Sequence, residues 1–301
     1  MAYLNGRRII TNVMTAYLNE SEVLAKMSNP NLLINSDFEI KQRGSQTFTT
    51  SGKYTADRWV FGINGSGNTG SYDPETKVLT CGTKDQDGYY SYLCQFIENP
   101  QKYAGKTLTF SCNALSQEYA WLIQVWYNEP NESVVSLGAT AYTTVDTEKT
   151  LTFTIPSTIT ANARLRFLIQ TRGTLKVNWA KLEIGDLATT YNPPLIAEEL
   201  VKCQRYFQVI QTQLARNIFT VNALFYIYLP VTMRINPTAT FGSGSGIQLI
   251  TGGSIDTSYS LNIVTPLKDN CITIRATKDG ATYTDLALNL QGNTTLDAEI
   301  Y

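Results

Sequence analysis

The chain has 301 residues, 43% of them hydrophobic and only 16% charged, and its 24 basic against 25 acidic residues leave a net charge of −1. Such a balance excludes a global field that gathers nucleic acid or anionic lipid. The absence of histidine removes the usual general base near neutral pH, the Ser-His and Cys-His nucleophile pairs, and imidazole metal ligands.

The length suits two domains of about 100–200 residues each. Eighteen tyrosines, with many Thr, Asn and Gly, favour strands and turns over helices. Cys81, Cys94, Cys112, Cys203 and Cys271 are scattered, with no C-x-x-C pair. They read as buried reduced thiols rather than a zinc site, with a Cys81–Cys94 disulfide as the alternative.

Residues 1–28 come first. Ile10, Val13, Tyr17, Leu24 and Met27 fall at helical spacings, interrupted at Glu20, and predict a short helix. A lone helix of about 12–15 residues is already marginal in water, so this seam needs cover from a sister copy, a docking surface or its own domain. Asn29-Pro30 ends the segment, because proline disfavours helical geometry in the residue before it. The N-terminus lacks a charged-then-apolar secretion signal, and no apolar run reaches the ~18 residues of a membrane span. The expectation is synthesis in the cytoplasm, without membrane insertion.

From residue 29 to 196 the pattern is strands and turns. "GKTLTF" and "KTLTFT" alternate apolar with polar, which implies one buried and one wet face. Eight or more short strands over about 160 residues fit a jelly roll, two packed sheets. "NPP" at Asn192–Pro194 and a short helical stretch at Ala197–Lys202 then break the series, followed by a strand near Tyr206. Residues 197–301 return to strands and turns. The expected fold is therefore mainly β: a short N-terminal helix, a jelly-roll β-sandwich, and a second, smaller antiparallel β-domain.

Three stretches carry a family likeness. "NLLINSDF…QRG…YTADRW" (Asn31–Trp59), "KLEIGDLATTYNPPLIAEELVKCQRYF" (Lys181–Phe207) and "LPVTMRINPTATF" (Leu229–Phe241) resemble tail-fibre, head-fibre and receptor-binding proteins of tailed bacteriophages. The resemblance implies a carbohydrate-binding-module-like sandwich between the first two stretches and a C-terminal β-domain that assembles trimers. It further implies a virion protein, not an enzyme: a homotrimer held to another virion protein through residues 1–28. Its expected ligand is a host surface polysaccharide or teichoic acid. A passive virion spacer and a polysaccharide depolymerase are the alternatives.

Candidate site residues follow. Aromatic rings on a sheet face or loop rim suit a sugar, since they offer rigid area at low entropic cost. Trp59 and Trp179 sit beside alternating strands and read as core. In "AWLIQVWYNEP" the alternation sets Trp121, Ile123 and Val125 against Leu122, Gln124 and Trp126, so Trp126 is the first exposed candidate. Tyr89 and Tyr90, after the polar "KDQDG" turn, and Tyr127 follow. Asp37, Glu39 and Glu183 lie in stretches similar to those around a structural calcium in carbohydrate-binding modules and have the hard oxygens calcium takes; turn and ion-pair roles are the alternative, and no other cofactor is expected. The carboxylates cannot be paired into a glycosidase site from sequence. Arg205 and Arg234 offer intersubunit contacts or local pairing. "LFYIYLPV" is apolar on both strand faces, which suggests that Tyr226 and Tyr228 face a neighbouring copy.

Overall fold

The structure, a computed structural model, describes residues 2–4, 7–9, 13–18, 21–26, 28–210, 215–216, 223–243, 245–249, 256–268, 270–278, 286–290 and 294–300. The described part of 1–28 forms strands, which corrects the expected helix. β1 (Ala2–Leu4) pairs antiparallel with β2 (Arg7–Ile9), and β3 (Val13–Leu18) with β4 (Ser21–Lys26). Leu18 stands opposite Ser21 and Val13 opposite Lys26. Two residues between paired strands is the spacing of a tight hairpin, and Val13, Thr15, Tyr17 and Val23 are β-branched or aromatic. A local pairing of this kind satisfies the backbone without the long uninterrupted run that a helix needs. Ile10 and Met27 lie outside the described residues, while Val13, Tyr17 and Leu24 are placed on strands by their backbone.

By its contacts the chain divides into two units, one of Met1–Lys41 with Ser45–Leu195, the other of Gln42–Gly44 with Ile196–Tyr301. In the first unit the strands are β5 (Lys53–Tyr54), β6 (Val60–Asn64), β7 (Gly70–Asp73), β8 (Val78–Cys81), β9 (Tyr90–Phe96), β10 (Thr107–Glu118) and β11 (Trp121–Asn128), then β12 (Val135–Ala139), β13 (Glu148–Thr154), β14 (Arg164–Thr171) and β15 (Thr174–Ile184). They form one sheet in the order β13-β10-β15-β8-β7 and another in the order β12-β11-β14-β9-β6-β5. All pairings are antiparallel.

Alternation builds the core between these sheets. Trp121, Ile123 and Val125 from β11 and Leu165, Phe167 and Ile169 from β14 meet Leu108, Phe110 and Cys112 from β10. The Phe110 and Phe167 rings approach edge-on at 5.4 Å. Trp59 is fully buried in the same core, its indole N–H donating to the Asn35 carbonyl at 2.8 Å and its ring 4.6 Å from Phe38. No disulfide joins the five cysteines among the described residues.

The start and end of the sandwich are clasped together. Asn31 accepts from the Leu182 amide at 3.0 Å and donates to the Ala180 carbonyl at 3.0 Å. Beside it, Lys181 is 1% exposed and Glu183 0% exposed, 3.4 Å apart. The Lys181 ammonium also donates to Thr189 Oγ1 (2.6 Å), the Thr190 carbonyl (3.0 Å) and Ser28 Oγ (3.2 Å). Glu183 accepts from the amide and the hydroxyl of Thr189. A desolvated ion pair survives only when such bonds saturate both partners.

The second unit opens with α1 (Ile196–Gln204), followed by β16 (Phe207–Ile210), β17 (Ala215–Arg216), β18 (Ala223–Tyr228), β19 (Thr238–Thr240), β20 (Gly246–Leu249), β21 (Ser260–Lys268), β22 (Cys271–Thr277), β23 (Leu286–Asn289) and β24 (Thr294–Asp297). Its described sheets run β16-β24-β19, β17-β23-β20 and β18-β22-β21, around a core that includes Phe225, Ile227, Ile274, Leu288 and Leu296. The segment Gln42–Gly44 belongs here. Gln42 donates to the Phe207 carbonyl at 2.9 Å. The Arg43 guanidinium lies 3.7 Å above the Phe207 ring and 3.2 Å from Glu299.

Candidate functional site

The face of the β12-to-β5 sheet turned away from the core follows from the strand register. Trp126, Arg166 and Phe96 form one row across β11, β14 and β9. Gln124, Leu168, Cys94 and Val60 form the next, and Leu122, Gln170, Tyr92 and Gly62 a third, with Tyr90 opposite Asn64 beyond it. Most of their sequence neighbours, among them Ile123, Val125, Leu165, Phe167 and Ile169, point into the core.

Relief on this face is graded. Leu168 and Cys94 are 0% and 2% exposed and form a floor. Trp126, Arg166, Gln124, Tyr90 and Tyr92 stand half-buried around it. The Arg166 guanidinium is 5.2 Å from the Trp126 ring centre, and the rings of Tyr90 and Tyr92 are 6.1 Å apart. Tyr142 hydrogen-bonds Gln170 and carries the Arg172 guanidinium 4.2 Å over its ring. Burial pushes the Cys94 thiol and the Tyr92 phenol up to about 12, so both are neutral at pH 7 and Arg166 supplies the full charge in these rows.

Tyr92 can lie against the sheet because its partner across the strands is glycine. A Cβ on Gly62 would fall 2.1 Å from Tyr92 Cζ, whereas the atoms it meets are the far end of a side chain. Gly62→Ala is expected to swing the Tyr92 ring off the sheet and to cost at most about 1 kcal/mol of stability. A crystal structure of the variant with Tyr92 unmoved would refute this.

Sequence-expected residues divide clearly. Trp126 and Tyr90 share the outer face. Tyr127 does not, because alternation turns it inward, where it packs partly buried against the core; this corrects its placement among the ligand residues. Tyr89 sits half-buried against Gly65, outside the rows. Trp59 is core as expected, while Trp179 is half-buried, stacked on Tyr191 at 4.6 Å. Arg166, Gln170 and Tyr142 were not anticipated. The alternation in "RLRFLIQ" places Arg164, Arg166, Leu168 and Gln170 on one side, but Leu168 and the buried Gln170 obscure the polar face.

The three carboxylates expected to take calcium have separate surroundings. Glu183 is saturated by Lys181 and Thr189, and Glu39 is exposed and paired with Lys77 at 2.5 Å. Asp37 is raised above its ordinary range by burial. Among the described residues no group of three or more Cys, Asp or Glu is placed to hold a metal. An open hollow of about 940 Å³ on the outer face of the other sheet is lined by Ser71, Asp73, Lys77, Thr80, Lys176 and Asn178 among others, with no aromatic ring. It offers hydrogen bonds but no stacking surface.

Arg234 donates inside its own unit to the carbonyls of Ala298 (3.0 Å) and Glu299 (2.9 Å), the local pairing that stood as the alternative to an intersubunit contact. Arg205 contributes its carbonyl to the Arg234 amide at 2.7 Å. Tyr226 and Tyr228 are 39% and 72% exposed, and alternate with the buried Phe225 and Ile227.

No family model matches the chain, and no curated protein does. Among solved structures it is similar to the enzymatically active domain of tailspike protein 4 of bacteriophage CBA120, with 13% identity and a TM-score of 0.31 over 52% of this chain and 21% of that one. It is also similar to TmCBM61 in complex with β-1,4-galactotriose, with 12% identity and a TM-score of 0.29 over 52% of this chain and 99% of that one. The tandem CBM22 domain of Paenibacillus barcinonensis Xyn10C gives 11% identity and a TM-score of 0.32 over 92% and 99%. At such identities no residue role passes from these proteins to this chain.

Proposed function

We propose that this chain is a non-enzymatic fibre protein of a bacteriophage virion that binds a host surface glycan on the outer face of the β12-to-β5 sheet. The observation that carries the reading is the arrangement there: half-exposed Trp126, Tyr90 and Tyr92, with Gln124 and Arg166, around an apolar floor. Rings supply stacking area and the polar groups fix orientation, as a sugar requires. The phage context rests on the likeness of the three stretches. Trimer formation rests on that likeness and on the exposed Tyr226 and Tyr228, which give the second unit an aromatic face suited to a sister copy. Residues 1–28 serve as the attachment segment. Three weak sites on one body gain avidity without new contacts.

A glycan array and binding to whole host cells test the reading. Retention on at least one glycan supports it, and silence at high valency favours a spacer. Trp126→Ala is expected to weaken any glycan bound here by about 30-fold, the effect of losing roughly 2 kcal/mol at an aromatic anchor, with an unchanged melting curve. Undiminished affinity would move the site elsewhere. Mass photometry at nanomolar concentration is expected to show a trimer, and a monomer would remove that part of the reading.

A further inference from the structure

The outer face carries a cation that the protein does not answer. Arg166 stands between Trp126 and Phe96 in its row. Its Nε is buried without a hydrogen-bond partner, and among the described residues no hydrogen bond or ion pair reaches its guanidinium. The rows on either side contribute Asn128 and Arg164, and Gln124, Leu168 and Cys94, with Leu122, Gln170 and Tyr92 beyond them, none of which is an acid. The other arginines of the neighbourhood differ, for Arg164, which precedes it on the same side of β14, has a partner and Arg172 is paired with Asp87 at 2.7 Å. Partly desolvating a guanidinium is unfavourable unless a counter-charge or a set of acceptors meets it. The Trp126 ring offsets part of this cost but leaves the planar fork of donors unused. That fork matches a carboxylate in two-point geometry. Gln170 Oε1, further along the same face of β14, is also buried without a hydrogen-bond partner.

We infer that the glycan taken by this face is an acidic polysaccharide whose pyranose ring stacks on Trp126 while its carboxylate is held by Arg166. This rests on the glycan reading above and narrows it. A polymer of glycerol phosphate brings negative charge but no sugar ring, and leaves the aromatic residues without use. A neutral glycan uses the rings and leaves Arg166 unmet.

The experiment is calorimetry on the full chain with polygalacturonate, alginate and hyaluronan, each against its carboxyl-reduced neutral twin, and with poly(glycerol phosphate), at low and high salt. At least one acidic polymer is expected to bind about tenfold or more tightly than its twin, the scale of one charge-assisted contact, and to weaken with salt. Arg166→Gln is expected to bring the acidic polymer down to the twin's affinity while the twin is unaffected. Arg166→Lys, which keeps the charge and loses the fork, is expected to fall between, and melting curves of both variants report folding. Trp126→Ala is expected to weaken acidic polymer and twin alike. Equal binding of a polymer and its twin, both lowered by Trp126→Ala, overturns the acidic preference and leaves glycan binding standing. Binding of poly(glycerol phosphate) alone, dependent on Arg166 and indifferent to Trp126, overturns the ring-and-carboxylate assignment. If these polymers are silent while neutral glycans bind on the array, the inference alone fails. If the array is silent as well, both fail.

Discussion

Lys181→Met is expected to destabilise the sandwich unit by about 3–5 kcal/mol, the cost of leaving a buried charge without its partner. Methionine fills similar volume, so the loss reports charge rather than packing. Glu183 is 0% exposed and retains only the Thr189 amide and hydroxyl as donors. Ser28, Thr189 and Thr190 lose the ammonium that gathers them, so one part of the clasp is lost while the Asn31 bonds remain. For a domain of this size about 1 kcal/mol moves the melting point by about 2–4 °C, and a fall of at least 6 °C is the corresponding readout. The double variant Lys181→Met/Glu183→Leu removes both charges and should recover part of the loss. A melting point within 2 °C of the parent for the single variant would show that the clasp is not structural.

Trp59→Ala is expected to cost a similar amount, about 3–5 kcal/mol, through the cavity left by a large buried side chain. Two further losses accompany the cavity. The Asn35 carbonyl, itself buried, is left without the indole N–H that meets it at 2.8 Å, and Phe38 loses the ring it packs on at 4.6 Å. Trp59→Phe keeps most of the volume and removes only the N–H, so the difference between the two variants separates packing from hydrogen bonding. Urea unfolding of both gives that difference directly; equal stability of Trp59→Ala and parent would contradict the burial.

The sandwich was legible in the sequence because its strands are half-wet. In "AWLIQVWY" strict alternation assigned Trp121, Ile123 and Val125 to the core and Trp126 to the outside, as the structure places them. The same rule, followed one residue further, puts Tyr127 inside, partly buried against the core. Residues 1–28 misled because apolar positions three and four apart in a short segment also occur in a pair of strands; the pairing itself, Leu18 to Ser21, is a relation between residues that periodicity does not report. Glu183 illustrates a different difficulty. A carboxylate beside calcium and one saturated by lysine have the same local sequence, and only the approach of Thr189 from outside the strand distinguishes them. Arg166 was hidden because an unanswered charge is defined by what does not surround it.

The grip of Arg43 on Glu299 joins residues 256 positions apart. During synthesis the arginine leaves the ribosome 256 residues ahead of its carboxylate partner. The second unit therefore completes its arrangement through a loop closure over 256 positions, a slow kind of step. In the interval the Phe207 strand lacks its cover, and it is then that newly made chains are most exposed to mispairing with one another.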